Sequence, residues 1–440
     1  MPADRGFPRV TCARVSSSVG VSTRARCLQS ASAPHRRSRP GTRPRHVRRP
    51  RAVHESYDMG SYDPEMDGYV PPEISLRSLR VGEKIGEGSF SEVYRGTIVG
   101  DEDETCPPET TKNVIVKNYK KNVHSRDWFS FYVDERTTCR RLFDVGCVGV
   151  APFLGVCGSD AYLVWGDVGI ETLEVCLTAS QKDSTTDAFA RMRNALDARD
   201  DRDDRDGIDN RHDAVTSTFT ITSTQTRSVV FRRIAKALID ATNAVHAENV
   251  IHRDVKPENV LVVENSVVLV DLGGSSDFET GVNVNSGETI FDPVYGAPEQ
   301  FTRDTRGAAK KKSMFGFLQS AVTGEDANAI GLAATGIEPS PKLDAFAVGM
   351  TLLRIGLTAL HDPETMQRTR LAMDAIAAES DRGESVLRAW RQSDDANEYD
   401  FTTLEASGVS DVLFGLLSWD PETRMTLTEA SMHVCFTAGE

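Results

Sequence analysis

The run at positions 252–260, HRDVKPENV, constrains the chain more than any other segment. It places a carboxylate at Asp254, an ammonium group at Lys256 and a carboxamide at Asn259, close together in sequence. Upstream, apolar residues recur at helical spacing and predict an amphipathic helix: Val230, Ile234, Leu238 and Val245. A short apolar run follows and predicts a strand. The three polar groups are therefore expected on a loop between a helix and a strand.

Two glycines further upstream predict a tight turn between two strands. In the run 85–93, IGEGSFSEV, Gly86 and Gly88 stand where a backbone can approach a phosphate group without a Cβ in the way. A glycine pair by itself usually marks an ordinary turn. This motif gains significance only from its order and distance relative to the other motifs of the chain.

Two more motifs supply a cation and further carboxylates. The β-branched run before Lys117 predicts a strand, which is also compatible with an ordinary surface lysine. Glu135 follows in a predicted helix, with Asp134 as the alternative partner for the lysine. Later, an apolar run predicts a buried strand that ends just before Asp271.

In this order and at these spacings, the motifs resemble those of the eukaryotic-type serine/threonine protein kinases. Three later motifs are similar too: the Ala-Pro-Glu triplet that contains Glu299, the apolar helix that opens at Asp344, and Arg424. In kinases, the glutamate and the arginine at these places form a buried ion pair. The resemblance therefore implies a contact between Glu299 and Arg424.

The resemblance covers residues 79–436 and implies an α+β fold with two lobes. The N-terminal lobe (79–165) is expected to be a small antiparallel β-sheet with one helix, and the C-terminal lobe (169–436) to be larger and mainly α-helical. Two insertions are expected to interrupt the kinase pattern, at 180–226 and 302–340. The first contains a low-complexity tract of alternating charge that cannot form a buried core. The second lies where the resemblance implies only a short connection.

The resemblance implies transfer of the γ-phosphoryl group of ATP to serine or threonine hydroxyls of protein substrates, with ATP and Mg²⁺ as cofactors. The implied catalytic residues are Asp254, Lys256, Lys117 and Glu135. The implied magnesium ligands are Asn259 and Asp271. The implied nucleotide-binding residues are Ile85, Gly86, Gly88, Ser89, Phe90, Ser91, Val93, Lys117, Gly166, Val168 and Leu261. The alternative is a catalytically silent pseudokinase that binds nucleotide as a scaffold, although the residues whose loss marks such proteins are all present.

A narrower resemblance lies downstream of the metal-binding aspartate. The stretches 271–283, DLGGSSDFETGVN, and 291–300, FDPVYGAPEQ, are similar to the thylakoid state-transition kinases of plants and algae. This resemblance implies a chloroplast enzyme that phosphorylates photosynthetic proteins. Asp292 stands where most serine/threonine kinases have a threonine, and we hypothesise that its carboxylate pairs with Lys256 or Arg253.

The first 53 residues differ from the rest in charge. They contain thirteen arginines, no lysine and one acidic residue, Asp4. Together with their serine, alanine and threonine content, this favours an organelle transit peptide, in a chloroplast or a mitochondrion. A basic arm that binds nucleic acid or acidic lipid is the alternative. Residues 54–78 are expected to be a linker.

The remaining composition limits where the protein acts and what it binds. Eight cysteines in 440 residues, without metal-binding spacing, exclude a disulfide-dense secreted domain. No apolar run is long enough to cross a bilayer. We expect a monomer without a nucleic-acid partner, in the stroma or peripheral to the thylakoid, with a mitochondrial or cytoplasmic location as the alternative. Peripheral membrane contact through the basic and apolar segment 307–325 is left open.

Overall fold

The computed structural model describes residues 73–74, 78–88, 91–99, 111–120, 128–157, 162–182, 187–197, 223–284, 292–301, 338–379 and 385–437. The predicted transit peptide, the segment 307–325, and residues Ser89 and Phe90 lie outside the described residues. The predictions made for them stay predictions.

The first lobe is a six-stranded sheet with the order β1-β5-β6-β4-β3-β2, in which only the short β1 runs parallel to its neighbour. Its strands are β1 (Glu73–Ile74), β2 (Leu79–Glu87), β3 (Ser91–Ile98), β4 (Lys112–Tyr119), β5 (Phe153–Cys157) and β6 (Tyr162–Gly166). The helix α1 (Trp128–Asp144) is inserted between β4 and β5. On β4, Val114 and Val116 are fully buried on one face, because alternate side chains of a strand point to opposite sides.

The second lobe is mainly helical. Its helices are α2 (Leu173–Lys182), α3 (Ala188–Asp197), α4 (Thr224–Ala247), α5 (Pro341–Gly356), α6 (Pro363–Glu379), α7 (Val386–Arg391), α8 (Thr402–Ser407), α9 (Ser410–Leu416), α10 (Leu427–Ser431) and α11 (Val434–Thr437). Two short hairpins accompany them: β7 (Val250–Ile251) with β10 (Ser276–Asp277), and β8 (Val260–Val263) with β9 (Ser266–Leu269).

The helices α4 and α5 form the centre of this lobe. The four apolar residues predicted to share one face of α4 are all buried: Val230, Ile234, Leu238 and Val245. In α5 every residue from Leu343 to Gly356 is buried, as expected for a helix enclosed on all sides. Ser340 begins α5 by accepting a hydrogen bond from the backbone N–H of Lys342 at 3.3 Å. The predicted α+β architecture with a small sheet lobe and a larger helical lobe is confirmed.

The structure differs from the predicted domain boundaries at two places. Within the expected insertion 180–226, α3 packs into the core through Phe189, Met192 and Leu196, which are at most 1% exposed. These residues recur at helical spacing, but the acidic tract that follows them dominates the composition of this segment. At the N-terminal side, β1 extends the sheet into the expected linker.

No helix in the described part of the chain is both long enough and apolar enough to span a lipid bilayer.

Candidate active site

The loop between β7 and β8 is held in place by α5. Asp344 of α5 is fully buried, and its carboxylate oxygens accept the backbone N–H groups of His252 and Arg253, each at 2.7 Å. His252 is also fully buried, and its Nε2 lies 3.0 Å from the carbonyl oxygen of Val270. His252 therefore positions the loop and does not face the site. Arg253 has a left-handed backbone (φ 69°), which turns the chain just before Asp254.

The three polar groups of this loop lie together. Asp254 Oδ2 is 2.9 Å from Lys256 Nζ and accepts a hydrogen bond from Asn259 Nδ2 at 3.0 Å. The other oxygen, Oδ1, is buried and has no hydrogen-bond partner among the described residues. Burial raises the pKa of Asp254, and the nearby Lys256 offsets this only in part. The carboxylate thus keeps one free acceptor atom and an increased affinity for a proton.

A second cluster joins the two lobes. Lys117 Nζ donates to both carboxylate oxygens of Glu135, at 2.9 and 2.7 Å, and to Asp271 Oδ1 at 2.8 Å. Burial alone would lower the pKa of Lys117, but the charges of Asp271 and Glu135 outweigh it and raise this pKa above its usual range. The pKa of Asp271 is lowered, because Lys117 outweighs the desolvation of this half-exposed carboxylate. The choice of Glu135 over Asp134 as the partner of the lysine agrees with this geometry.

Tyr119 belongs to this cluster, although the sequence analysis missed it. Its hydroxyl donates to Glu135 Oε2, and its ring centroid lies 5.3 Å from Lys117 Nζ. Its spacing of two residues from Lys117 on a strand was the available signal, since such residues share one face.

The glycine-rich turn joins β2 and β3. Gly86 is paired with Val93, and Ile85 directly precedes this pair. The backbone N–H of Gly88 donates to the carbonyl oxygen of Ser91 at 2.8 Å, which closes the turn. These five predicted nucleotide-binding residues thus lie on one hairpin.

The other predicted nucleotide-binding residues lie between the lobes. Leu261 belongs to a small apolar cluster against which Trp165 and Val168 pack. The backbone N–H of Gly166 already donates to the carbonyl oxygen of Pro152 at 2.9 Å. The amide of Gly166 is therefore used within the protein, and its carbonyl oxygen is the backbone group left to accept a hydrogen bond from a nucleotide. The assignment of Gly166 to the nucleotide site stays a prediction.

The segment after Asp271 is packed against the same region. Leu272 is 3% exposed and fills the place behind the aspartate in the main hydrophobic core. Asp292 Oδ2 lies 3.7 Å from Lys256 Nζ, which agrees with the hypothesis of a carboxylate paired with that lysine. The Nη1 group of Arg253, the alternative partner, donates to Ser276 Oγ at 2.8 Å.

The implied ion pair at the end of this segment is present. Arg424 Nη1 and Nη2 donate to the two carboxylate oxygens of Glu299 at 2.7 and 2.9 Å. This bidentate contact attaches the segment to the last helices of the lobe.

Comparison with known families and proteins agrees with this arrangement. Residues 210–317 match the protein kinase domain family. The serine/threonine-protein kinase STN8, chloroplastic, of Arabidopsis thaliana is 21% identical over 355 residues, which cover 74% of this chain and 63% of the relative. STN7, chloroplastic, from the same plant is 27% identical over 166 residues, covering 37% of this chain and 26% of the relative. The chain thus spans less than two thirds of the length of either curated relative.

Among solved structures, the crystal structure of a Stt7 homolog from Micromonas algae, soaked with ATP, is similar in fold. It aligns with a TM-score of 0.56 and 18% sequence identity, over 87% of this chain and 97% of that chain. The fold is therefore that of the bilobal protein kinases. By its motifs, its fold and its relatives, the chain resembles the serine/threonine protein kinases and, among them, the state-transition kinases.

Proposed function

We propose that the chain is an ATP-dependent protein kinase that transfers the γ-phosphoryl group to serine or threonine hydroxyls of protein substrates. The observation that carries the proposal is the contact of Lys117 with both Glu135 and Asp271, which are 2.7 and 2.8 Å away and come from different parts of the chain. A buried ammonium group held between two carboxylates is oriented for phosphate oxygens.

Three groups of the catalytic loop have distinct parts in the proposed transfer. Asp254 would accept the proton of the substrate hydroxyl through Oδ1, the buried oxygen without a hydrogen-bond partner among the described residues. Lys256, 2.9 Å from the other oxygen, would keep Asp254 oriented and place a positive charge beside the transferring group. Asn259 Nδ2 donates to the backbone oxygen and to Oδ2 of Asp254, at 2.9 and 3.0 Å, and so fixes the loop.

The residues predicted to hold magnesium fit a hard cation. Because Nδ2 of Asn259 is used in donating to Asp254, its carbonyl oxygen Oδ1 is the atom left for a metal ion. The side chain of Asp271 is 51% exposed, so its carboxylate can reach a ligand in the cleft while Oδ1 contacts Lys117. A bound magnesium ion would supply charge neutralisation for the phosphate oxygens.

The proposed activity is tested with γ-labelled ATP, magnesium and the purified chain, with and without a generic protein substrate. We expect label on serine and threonine, and we expect Asp254→Asn to reduce it by about 10²- to 10⁴-fold, because the proton acceptor is lost. Equal label with both proteins would indicate a contaminating kinase. Nucleotide binding without transfer would instead favour the scaffold.

We further propose a location in the chloroplast. Two observations support it: the arginine-rich, nearly acid-free composition of residues 1–53, and the chloroplastic names of STN8 and STN7. A fusion of residues 1–60 to a fluorescent reporter should coincide with chlorophyll emission in plant or algal cells. Fluorescence that fills the cytoplasm or follows a mitochondrial marker would contradict this location, without bearing on the activity.

A further inference from the structure

The side chain of Tyr119 faces the same region as that of Lys117. The two residues stand two positions apart on β4, so their side chains leave the strand on the same face, toward α1. Tyr119 is 3% exposed, and its ring packs edge-on against Tyr132 of α1 with the ring centroids 6.1 Å apart. A phenylalanine would make the same ring contacts. The hydroxyl group is therefore the part of Tyr119 that packing alone does not require.

That hydroxyl contacts Glu135, the partner of the active-site lysine. Tyr119 Oη donates to Glu135 Oε2, the same oxygen that accepts from Lys117 Nζ at 2.7 Å. Glu135 is only 1% exposed, so its charge depends on donors from the protein and not on water. Lys117 Nζ also donates to Asp271 Oδ1. Phosphate oxygens of a bound nucleotide would compete for the same N–H groups of Lys117. Tyr119 is the donor to Glu135 that such competition does not affect.

The same hydroxyl lies against the segment that follows Asp271. A Cβ atom added to Gly273 would stand 3.4 Å from Tyr119 Oη and 3.8 Å from Glu135 Oε2. The hydroxyl therefore touches α1 through Glu135 and lies beside the backbone of Gly273. A displacement of Glu135 away from Lys117 and Tyr119 would break the hydrogen bond from the Tyr119 hydroxyl.

We propose that Tyr119 is a positioning residue, whose hydroxyl holds the Glu135 carboxylate against Lys117 and thereby keeps α1 docked on β4 in the nucleotide-binding arrangement. Tyr119 acts on the phosphates only through Glu135 and Lys117. The inference deepens the proposed kinase function and rests on it for nucleotide binding, whereas docking of α1 is a property of the protein itself.

The test compares Tyr119→Phe with the wild-type chain in two measurements. The first is the dissociation constant of ATP with magnesium, which we expect to rise about tenfold, because one hydrogen bond to a buried charge is lost. The second is amide hydrogen exchange in α1 around Phe131 and Glu135, which we expect to become faster. In a Glu135→Gln background, Tyr119→Phe should change the dissociation constant by less than about twofold, because the charge on which the hydroxyl acts is gone.

Tyr162→Phe is the matched control. Tyr162 lies on β6 and packs with the apolar cluster on the opposite face of the sheet, so its variant should leave both measurements unchanged. An unchanged dissociation constant or unchanged exchange in Tyr119→Phe would overturn the proposal, as would an equal effect in the Glu135→Gln background. Absence of phosphoryl transfer by the wild-type chain would instead reject the proposed function, while exchange and nucleotide binding would still decide the role of Tyr119.

Discussion

The Lys117→Met variant should lose activity by about 10²- to 10³-fold in kcat/KM for ATP. Removing a preorganised donor from a site where charge develops typically has an effect of this size. Here the donor is also the link between Glu135 and Asp271, at 2.7 and 2.8 Å. Without the lysine, two carboxylates face each other and the entering phosphates with no cation between them. Steady-state kinetics with varied ATP, together with a direct measurement of ATP binding, gives the size of the loss.

Lys112→Met controls for the general effect of removing a lysine from this sheet. Lys112 begins the same strand, and it is solvent-exposed. Its replacement should leave kcat/KM within about twofold of the wild-type value, because exposed charges contribute little. If the two variants had similar activity, Lys117 would have no part in nucleotide handling, and the proposed function would lose its main support.

The Arg424→Met substitution should lower the free energy of unfolding by about 3 kcal/mol. Removing one partner of a buried ion pair leaves the other charge uncompensated, which costs a few kcal/mol. Arg424 is 1% exposed, and besides Glu299 its guanidinium group donates to the carbonyl oxygens of Ser418, Lys342 and Trp419 at 3.0, 2.7 and 3.2 Å. The variant therefore also removes one donor from each of three carbonyl groups. Urea denaturation followed by tryptophan fluorescence measures the change.

Arg193→Met is the matched control for this prediction. Arg193 pairs with Asp197 on the surface of α3 at 3.4 Å, and its side chain is 52% exposed. We expect a change of at most about 0.5 kcal/mol, because surface ion pairs contribute little to stability. A loss below about 1 kcal/mol in Arg424→Met would mean that the buried pair is not important for the stability of the lobe.

The Glu299→Leu/Arg424→Met double variant separates the ion pair from the carbonyl contacts. Replacing both charges by apolar groups removes the uncompensated carboxylate, so the double variant should lose less stability than the sum of the two single variants. Equal and additive losses would indicate that the contacts of Arg424 with the three carbonyl groups outweigh its contact with Glu299.

Some elements of the fold could be predicted from the sequence, because they depend on residues that lie within a few positions of each other. The face of α4 follows from apolar residues four and seven positions apart, and the catalytic loop follows from residue types within a few positions of each other. The core helix α3 was assigned to an insertion, since Phe189, Met192 and Leu196 precede a strongly charged tract that biased the composition. Local composition does not show which segment packs against the core.

The contacts within the site join residues that are far apart in sequence, so local sequence patterns do not predict them. Gly166 was predicted to bind nucleotide, and only the structure shows that its backbone N–H donates to the carbonyl oxygen of Pro152 at 2.9 Å. In the same way, the hydroxyl of Tyr119 has a role because α1 packs on that end of β4 and brings Glu135 within reach. Residue spacing could place Tyr119 on the same face of β4 as Lys117, but it does not show which side chains of other elements lie within hydrogen-bond distance.

The order and type of the residues specify which chemical groups the chain can offer, because the catalytic loop and the glycine-rich turn are recognisable from residues close together in sequence. Which of these groups come into contact depends on the three-dimensional packing. Lys117 and Asp271 are 154 residues apart in sequence, and yet 2.8 Å separates the ammonium nitrogen from the carboxylate oxygen. That proximity results from the packing of the sheet lobe, α1 and the helical lobe, since the burial of apolar surface brings the two polar groups together.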